Sequence, residues 1–275
     1  MKATLGLARV GALGAACAAV ALGGAAMANH SWGTYAWSYT GTPLSVPVVD
    51  NTDLSWNGYV NKAVNDWNQS AVINAPLQKG SADPACSMEL NTIQVCNDNY
   101  GSTGWLGIAT ISLSGGKISA GSTKLNDYYF DQPNYNTYSW RQLVTCQEIG
   151  HDYGLGHQNE NFNTDETTSC MEYTSWPADN ESPDQHDYDQ LLTIYQGGGD
   201  GGGTKPGKGA GGGNGKGKNR VSLPNVGNTP ATWGRPVGRL PNGVANKFER
   251  EVNGVKFVTH VTWTLEYLEK HGNAD

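Results

Sequence analysis

The sequence predicts an α/β (α+β) fold from three features: two stretches with apolar residues at helical spacing, a glycine-punctuated β-prone stretch between them, and a Gly-rich run that sets off the C-terminal part. In Trp56 to Gln69, Val60, Val64 and Trp67 recur at three- and four-residue intervals with Asn, Lys and Asp between them, so an amphipathic helix is expected there. Ile93 to Phe130 is broken by Gly101, Gly104, Gly107, Gly115, Gly116 and Gly121 and carries β-prone runs such as Trp105 to Leu113. That composition reads as sheet strands with tight connections.

The elements follow in order. Asn29 to Asp53, rich in Trp, Tyr, Thr, Pro and Val, is expected to be extended. After the first helix and the strands, Tyr138 to Tyr153 is a second helix, with Leu143, Val144, Gln147 and His151 on adjoining positions of one side and Gly154 and Gly156 ending it. A polar loop, Gln158 to Gln185, leads to a third helix over Asp187 to Tyr195. Residues 197–220 hold 13 glycines with Lys205, Lys208, Lys216 and Lys218. They are expected to form a flexible linker with a root-mean-square reach of roughly 26 Å, enough for residues 221–275 to return to the domain at 29–196. In that last segment Phe248 to Val252, Asn253-Gly254 and Val255 to Trp263 read as a hairpin on a type I′ turn, within a small β module.

Residues 1–28 read as a secretory signal. Lys2 and Arg9 make a positive start, Val10 to Leu22 is apolar but shorter than the roughly 20 residues of a membrane span, and Ala26-Met27-Ala28 is a cleavage site. A secreted, extracellular protein is therefore expected, with no stable membrane insertion after cleavage. Removing Lys2 and Arg9 takes the formal charge from −7 to −9, which disfavours nucleic acid as a partner. Cys86, Cys96, Cys146 and Cys170 then remain, an even number suited to two disulfides. Three pairings are possible, and proximity favours Cys86 with Cys96, leaving Cys146 with Cys170. A four-cysteine metal site lacks any CxxC pair.

The chemistry concentrates in QEIGHDYGLGHQNE, Gln147 to Glu160. On a helix Gln147 and His151 stack on one face with Glu148 beside them, and a sharp turn at Gly154 can return His157 towards His151. Imidazoles beside a carboxylate suit zinc, which lowers the pKa of a water to roughly 7 while a non-ligand Glu takes the proton.

At these residues the chain resembles the metzincin metallopeptidases, and among them matrixin-like bacterial secreted peptidases, whose pattern is HExxHxxGxxH followed by a methionine turn. Glu148, His151, Gly154 and His157 stand at the matching places, and Cys170-Met171-Glu172-Tyr173 follows as the Met-turn, centred on Met171. The resemblance covers Asn29 to Gln196. It implies a zincin-like domain with a mixed sheet, a protein or peptide substrate lying extended beside an edge strand, and hydrolysis of peptide bonds. The first motif histidine is Gln147 here, a harder and weaker zinc ligand than imidazole. Three readings follow: Gln147 ligates through its oxygen, another residue such as Tyr173 completes the site, or the metal has been lost.

The expected enzyme is thus a secreted zinc-dependent endopeptidase: zinc on His151, His157 and Gln147, Glu148 as general base, and Tyr173 aiding the oxyanion. The rival is a metal-free binding protein that recognises a protein or polymer. A structural calcium among the Asp and Asn between Asn159 and Asn180 is a further option, without EF-hand order. His30, His260 and His271 are assigned no role, and His186 is read as capping or packing.

Overall fold

The computed structural model describes Met1 and residues 30–41, 43–161, 164, 166–196 and 223–272. The expected signal segment, apart from Met1, and the expected linker lie outside them. The strands are β1 (Val48–Asp50), β2 (Leu77–Lys79), β3 (Ile93–Asp98), β4 (Trp105–Ser114), β5 (Lys117–Asn126), β6 (Arg235–Arg239), β7 (Ala245–Val252) and β8 (Val255–Trp263). The helices are α1 (Asn57–Trp67), α2 (Asp127–Phe130), α3 (Tyr138–Asp152), α4 (Gln185–Tyr195), α5 (Pro230–Trp233) and α6 (Leu265–His271). The fold is mixed α/β, as the periodicities require. No helix among the described residues is long and apolar enough to cross a membrane.

One sheet of eight strands runs in the order β2-β1-β3-β5-β4-β8-β7-β6. The pairs β2–β1, β1–β3 and β3–β5 are parallel, and every pair from β5–β4 outward is antiparallel. The expected hairpin is β7–β8. Asn253 (φ 53°) and Gly254 (φ 78°) both take the positive φ that a type I′ turn demands. The segment, expected to pack on the main domain or on a ligand, does so by strand pairing: β8 lies along β4, with His260 opposite Ala109, and continues the sheet of the main domain. Of the segment expected to be extended before Asp53, only β1 is a strand; the rest is irregular, held by isolated bridges such as Ser31 to Leu155 and Trp37 to Ile118.

Helix α3 is the pivot. Thr137 caps it by accepting a hydrogen bond from the Trp140 N–H at 3.2 Å, and every residue from Trp140 to Asp152 is buried. An apolar stripe alone does not do this to a helix with so many polar residues; α3 is enclosed by α1 on one side and the sheet on the other. Val60, Ala63, Val64 and Trp67 form the buried face of α1, and the Trp67 indole donates to the Cys146 carbonyl at 3.0 Å. Close approach to the sheet is possible at Gly107 on β4, where a Cβ would stand 2.7 Å from Glu148 Oε1. A second core cluster, including Trp105, Trp233, Phe248, Phe257, Val261 and Trp263, anchors the C-terminal strands.

Cys86 is joined to Cys96, and Cys146 to Cys170. The second bridge ties the middle of α3 to the segment bearing Met171. Replacing both cysteines by alanine is expected to cost about 2–4 kcal/mol in urea unfolding, because the 24-residue loop is then unconstrained in the unfolded chain. An unchanged midpoint would contradict that role.

Candidate metal centre

Helix α3 ends in a turn that brings its last imidazole and the next one together. Gly154 takes φ +92°, and a Cβ there would lie 2.4 Å from the Tyr35 carbonyl oxygen, so both the turn and the strap over it require glycine. The Gly154 N–H bonds the His151 carbonyl at 2.8 Å, and the chain reverses so that the His157 ring lies 4.9 Å from that of His151. A third imidazole arrives from β8: His260 stacks on His151 at 3.8 Å and meets His157 at 4.5 Å. Nitrogens of the three rings lie within 4.8 Å of one another. From that spacing, one ion bonded to each at roughly 2.0–2.1 Å needs only side-chain adjustment.

The partners of the remaining nitrogens fit such an ion. His151 Nδ1 faces the Leu155 carbonyl at 2.8 Å, and His157 Nδ1 faces Glu160 Oε1 at 3.1 Å. Each therefore turns Nε2 inward, with the outer partner setting the tautomer. His151 Nε2, His157 Nε2 and both nitrogens of His260 are buried without a hydrogen-bond partner. An unpaired buried polar atom costs roughly 1–3 kcal/mol, and a single ion could partner three of these four, one nitrogen from each ring. Burial lowers the pKa of all three rings, with mutual repulsion adding to it for His151 and His260, and this keeps them neutral and able to ligate. Glu160 is half-buried, which works against its charge, yet its bond to His157 and the nearby Lys247 and Asn246 hold its carboxyl at about 2.

Glu148 is fully buried on α3, three residues before His151, against Gly107 of β4. The Thr262 hydroxyl donates to Gln147, and neither Glu148 oxygen has a hydrogen-bond partner. Burial pushes the carboxyl up to about 8. In the metal-free folded chain the proton therefore stays until about pH 8, whereas the unfolded chain releases it near 4.5. Between those values the unfolded state binds fewer protons, so this group's contribution to stability falls as pH rises. Metal-free Glu148→Gln should accordingly gain stability over the parent steadily from about pH 5 to pH 8 in urea melts. A difference independent of pH would mean that the carboxyl is already ionised at the lower end.

Gln147 stands apart from the ligand role expected of it. Its Nε2 donates to the Cys170 and Glu172 carbonyls, both at 2.9 Å, and its Oε1 accepts from Thr262 Oγ1 at 2.8 Å. The amide is thus committed to the Met-turn segment on one side and to β8 on the other. Met171 is buried against α3, where a Cβ on Gly150 would stand 2.5 Å from its sulfur. Tyr173 lays its ring 4.7 Å from His157, and its hydroxyl accepts the Trp263 N–H at 2.5 Å. The Asn159 to Asn180 loop is drawn together by Glu172, whose carboxylate accepts from the Asn159 side chain, the Glu166 and Thr167 N–H groups and the Thr167 hydroxyl.

Sequence reasoning missed His260. It also missed Trp32, which is 3% exposed and sets its indole edge-on at 5.7 Å from His151 and 5.6 Å from His260. The departure at Gln147 is the one sequence signal that a further ligand could come from elsewhere, and His260 lies in a β-prone run. His30 lies beside the site, stacked on His186 at 4.7 Å and 3.6 Å from Asp187, with burial lowering its pKa to about 4.

No protein-family model matches the chain, and no curated protein does. Among solved structures, one match is high choriolytic enzyme 1, a hatching enzyme zinc-protease from Oryzias latipes, the medaka fish. It shows 12% identity, 58% of this chain and 94% of that chain being covered, at a TM-score of 0.30. So slight an overlap does not bear on function.

Proposed function

We propose that the chain is a zinc-dependent hydrolase acting on peptide bonds, with the metal held by His151, His157 and His260. The observation that supports this most is the convergence of three buried imidazoles with unpartnered nitrogens beside a buried carboxylate that is not needed as a ligand. Bound zinc would supply Lewis acidity, lowering the pKa of a water to roughly 7. Glu148 would accept a proton at a carboxylate oxygen and return it to the leaving amine nitrogen. Its raised affinity for a proton suits an acceptor that must later donate. Tyr173, whose hydroxyl burial keeps protonated, is the candidate donor to the oxyanion. The Leu155 carbonyl and Glu160 orient His151 and His157.

One observation favours a second reading, a metal-holding protein without hydrolytic activity. Trp32 and β8 close over the centre, and β4, next to Glu148, is paired on both sides, so the sheet has its edges at β2 and β6. An extended substrate beside β4 has no free edge there.

The test is elemental analysis of the mature chain after exhaustive dialysis, with casein hydrolysis measured before and after chelation. About one zinc per chain and chelator-sensitive cleavage are expected. Zinc without cleavage supports the second reading, and no zinc overturns both.

A further inference from the structure

We propose that β8 is a ligand-donating arm: the centre acquires its third imidazole only when the C-terminal segment docks on β4, so metal binding and docking form one linked equilibrium. This rests on the three-imidazole centre proposed above. His151 and His157 belong to α3 and the turn after it, whereas His260 lies beyond residues 197–222 in sequence and reaches them through a strand pairing that runs from Trp105 to Leu113. Period-two geometry puts His260 and Thr262 on the same face of β8. On that face Thr262 donates to Gln147 and His260 stacks on His151, four residues further along α3. Gln147 therefore reads the register of β8. A slip of one residue would turn both side chains away from α3.

The departure from the motif acquires a function in this arrangement. An imidazole at position 147 would serve the metal directly; the amide instead bonds the two carbonyls of the Met-turn segment and the hydroxyl that places His260. One ligand is exchanged for a docking contact, and the arm returns the ligand. Zinc then cross-links α3, the turn after it and β8. With the arm displaced, two imidazoles remain, one short of the three protein ligands a zinc site of this kind uses.

The experiment measures zinc affinity by competition with a chelator, and amide hydrogen exchange of β7 and β8 with and without zinc, on the full chain. His260→Phe keeps a ring in the packed position and should lose more than about 100-fold in affinity, beyond the 10- to 100-fold typical of outer partners. In the parent, zinc should slow exchange at Thr259, His260 and Val261; in His260→Phe that slowing should vanish. His260→Cys, which keeps a ligand atom, should restore both, so a general folding defect at this position is told apart. Thr262→Val should weaken zinc although residue 262 is not a ligand, through the register. If His260→Phe binds zinc as tightly as the parent, or zinc leaves exchange in β8 unchanged while it binds, the arm is not a ligand donor and the proposal falls. Absence of zinc from the parent itself would instead remove the underlying metal centre.

Discussion

Glu148→Gln is expected to hold zinc as the parent does while losing roughly 10²- to 10⁴-fold in casein hydrolysis, the usual effect of removing a general base. The substitution keeps the size of the side chain in a fully buried position and removes only the group that takes the proton. Metal and activity should therefore separate cleanly. Full activity in the variant would remove Glu148 from the chemistry. Loss of zinc along with activity would make the carboxylate a ligand, and the three-imidazole set would have to be redrawn.

The second large effect is expected at Gln147, and it is one of stability. Gln147→Ala strips partners from the Cys170 and Glu172 carbonyls and the Thr262 hydroxyl, all in the interior. At roughly 1–3 kcal/mol for each buried group left unpaired, the variant should unfold at a markedly lower urea concentration than the parent. Zinc affinity should fall only as far as β8 loosens, well short of the loss in His157→Phe, which removes an imidazole outright. If Gln147→Ala were as damaging to zinc as His157→Phe and nearly neutral in urea, Gln147 would be a ligand after all and His260 a bystander.

Much of the fold was legible because its periods are strong. Val60, Val64 and Trp67 mark α1, Gly154 ends α3, and Asn253-Gly254 places the hairpin turn. Local chemistry sets each of these. What local chemistry does not set is where a hairpin docks: the alternation in Val255 to Trp263 is equally compatible with a separate module and with an addition to β4. His260 consequently read as an unassigned histidine. The pair His151 and His157 was legible for the opposite reason, since six residues of helix end and glycine turn carry them together with no long-range pairing. Gln147 was expected to ligate, but its three hydrogen bonds reach residues 23, 25 and 115 positions away, beyond the range of any spacing argument.

The central claim is a zinc centre of three imidazoles, one from each of α3, the turn after it and β8. Zinc-edge X-ray absorption on the metal-loaded full chain reads the ligand shell directly, through the multiple scattering of imidazole rings. Three histidine nitrogens at roughly 2.0–2.1 Å are expected, falling to two in His260→Phe where any zinc is retained. A shell with two imidazoles in the parent, unchanged by His260→Phe, would contradict the account.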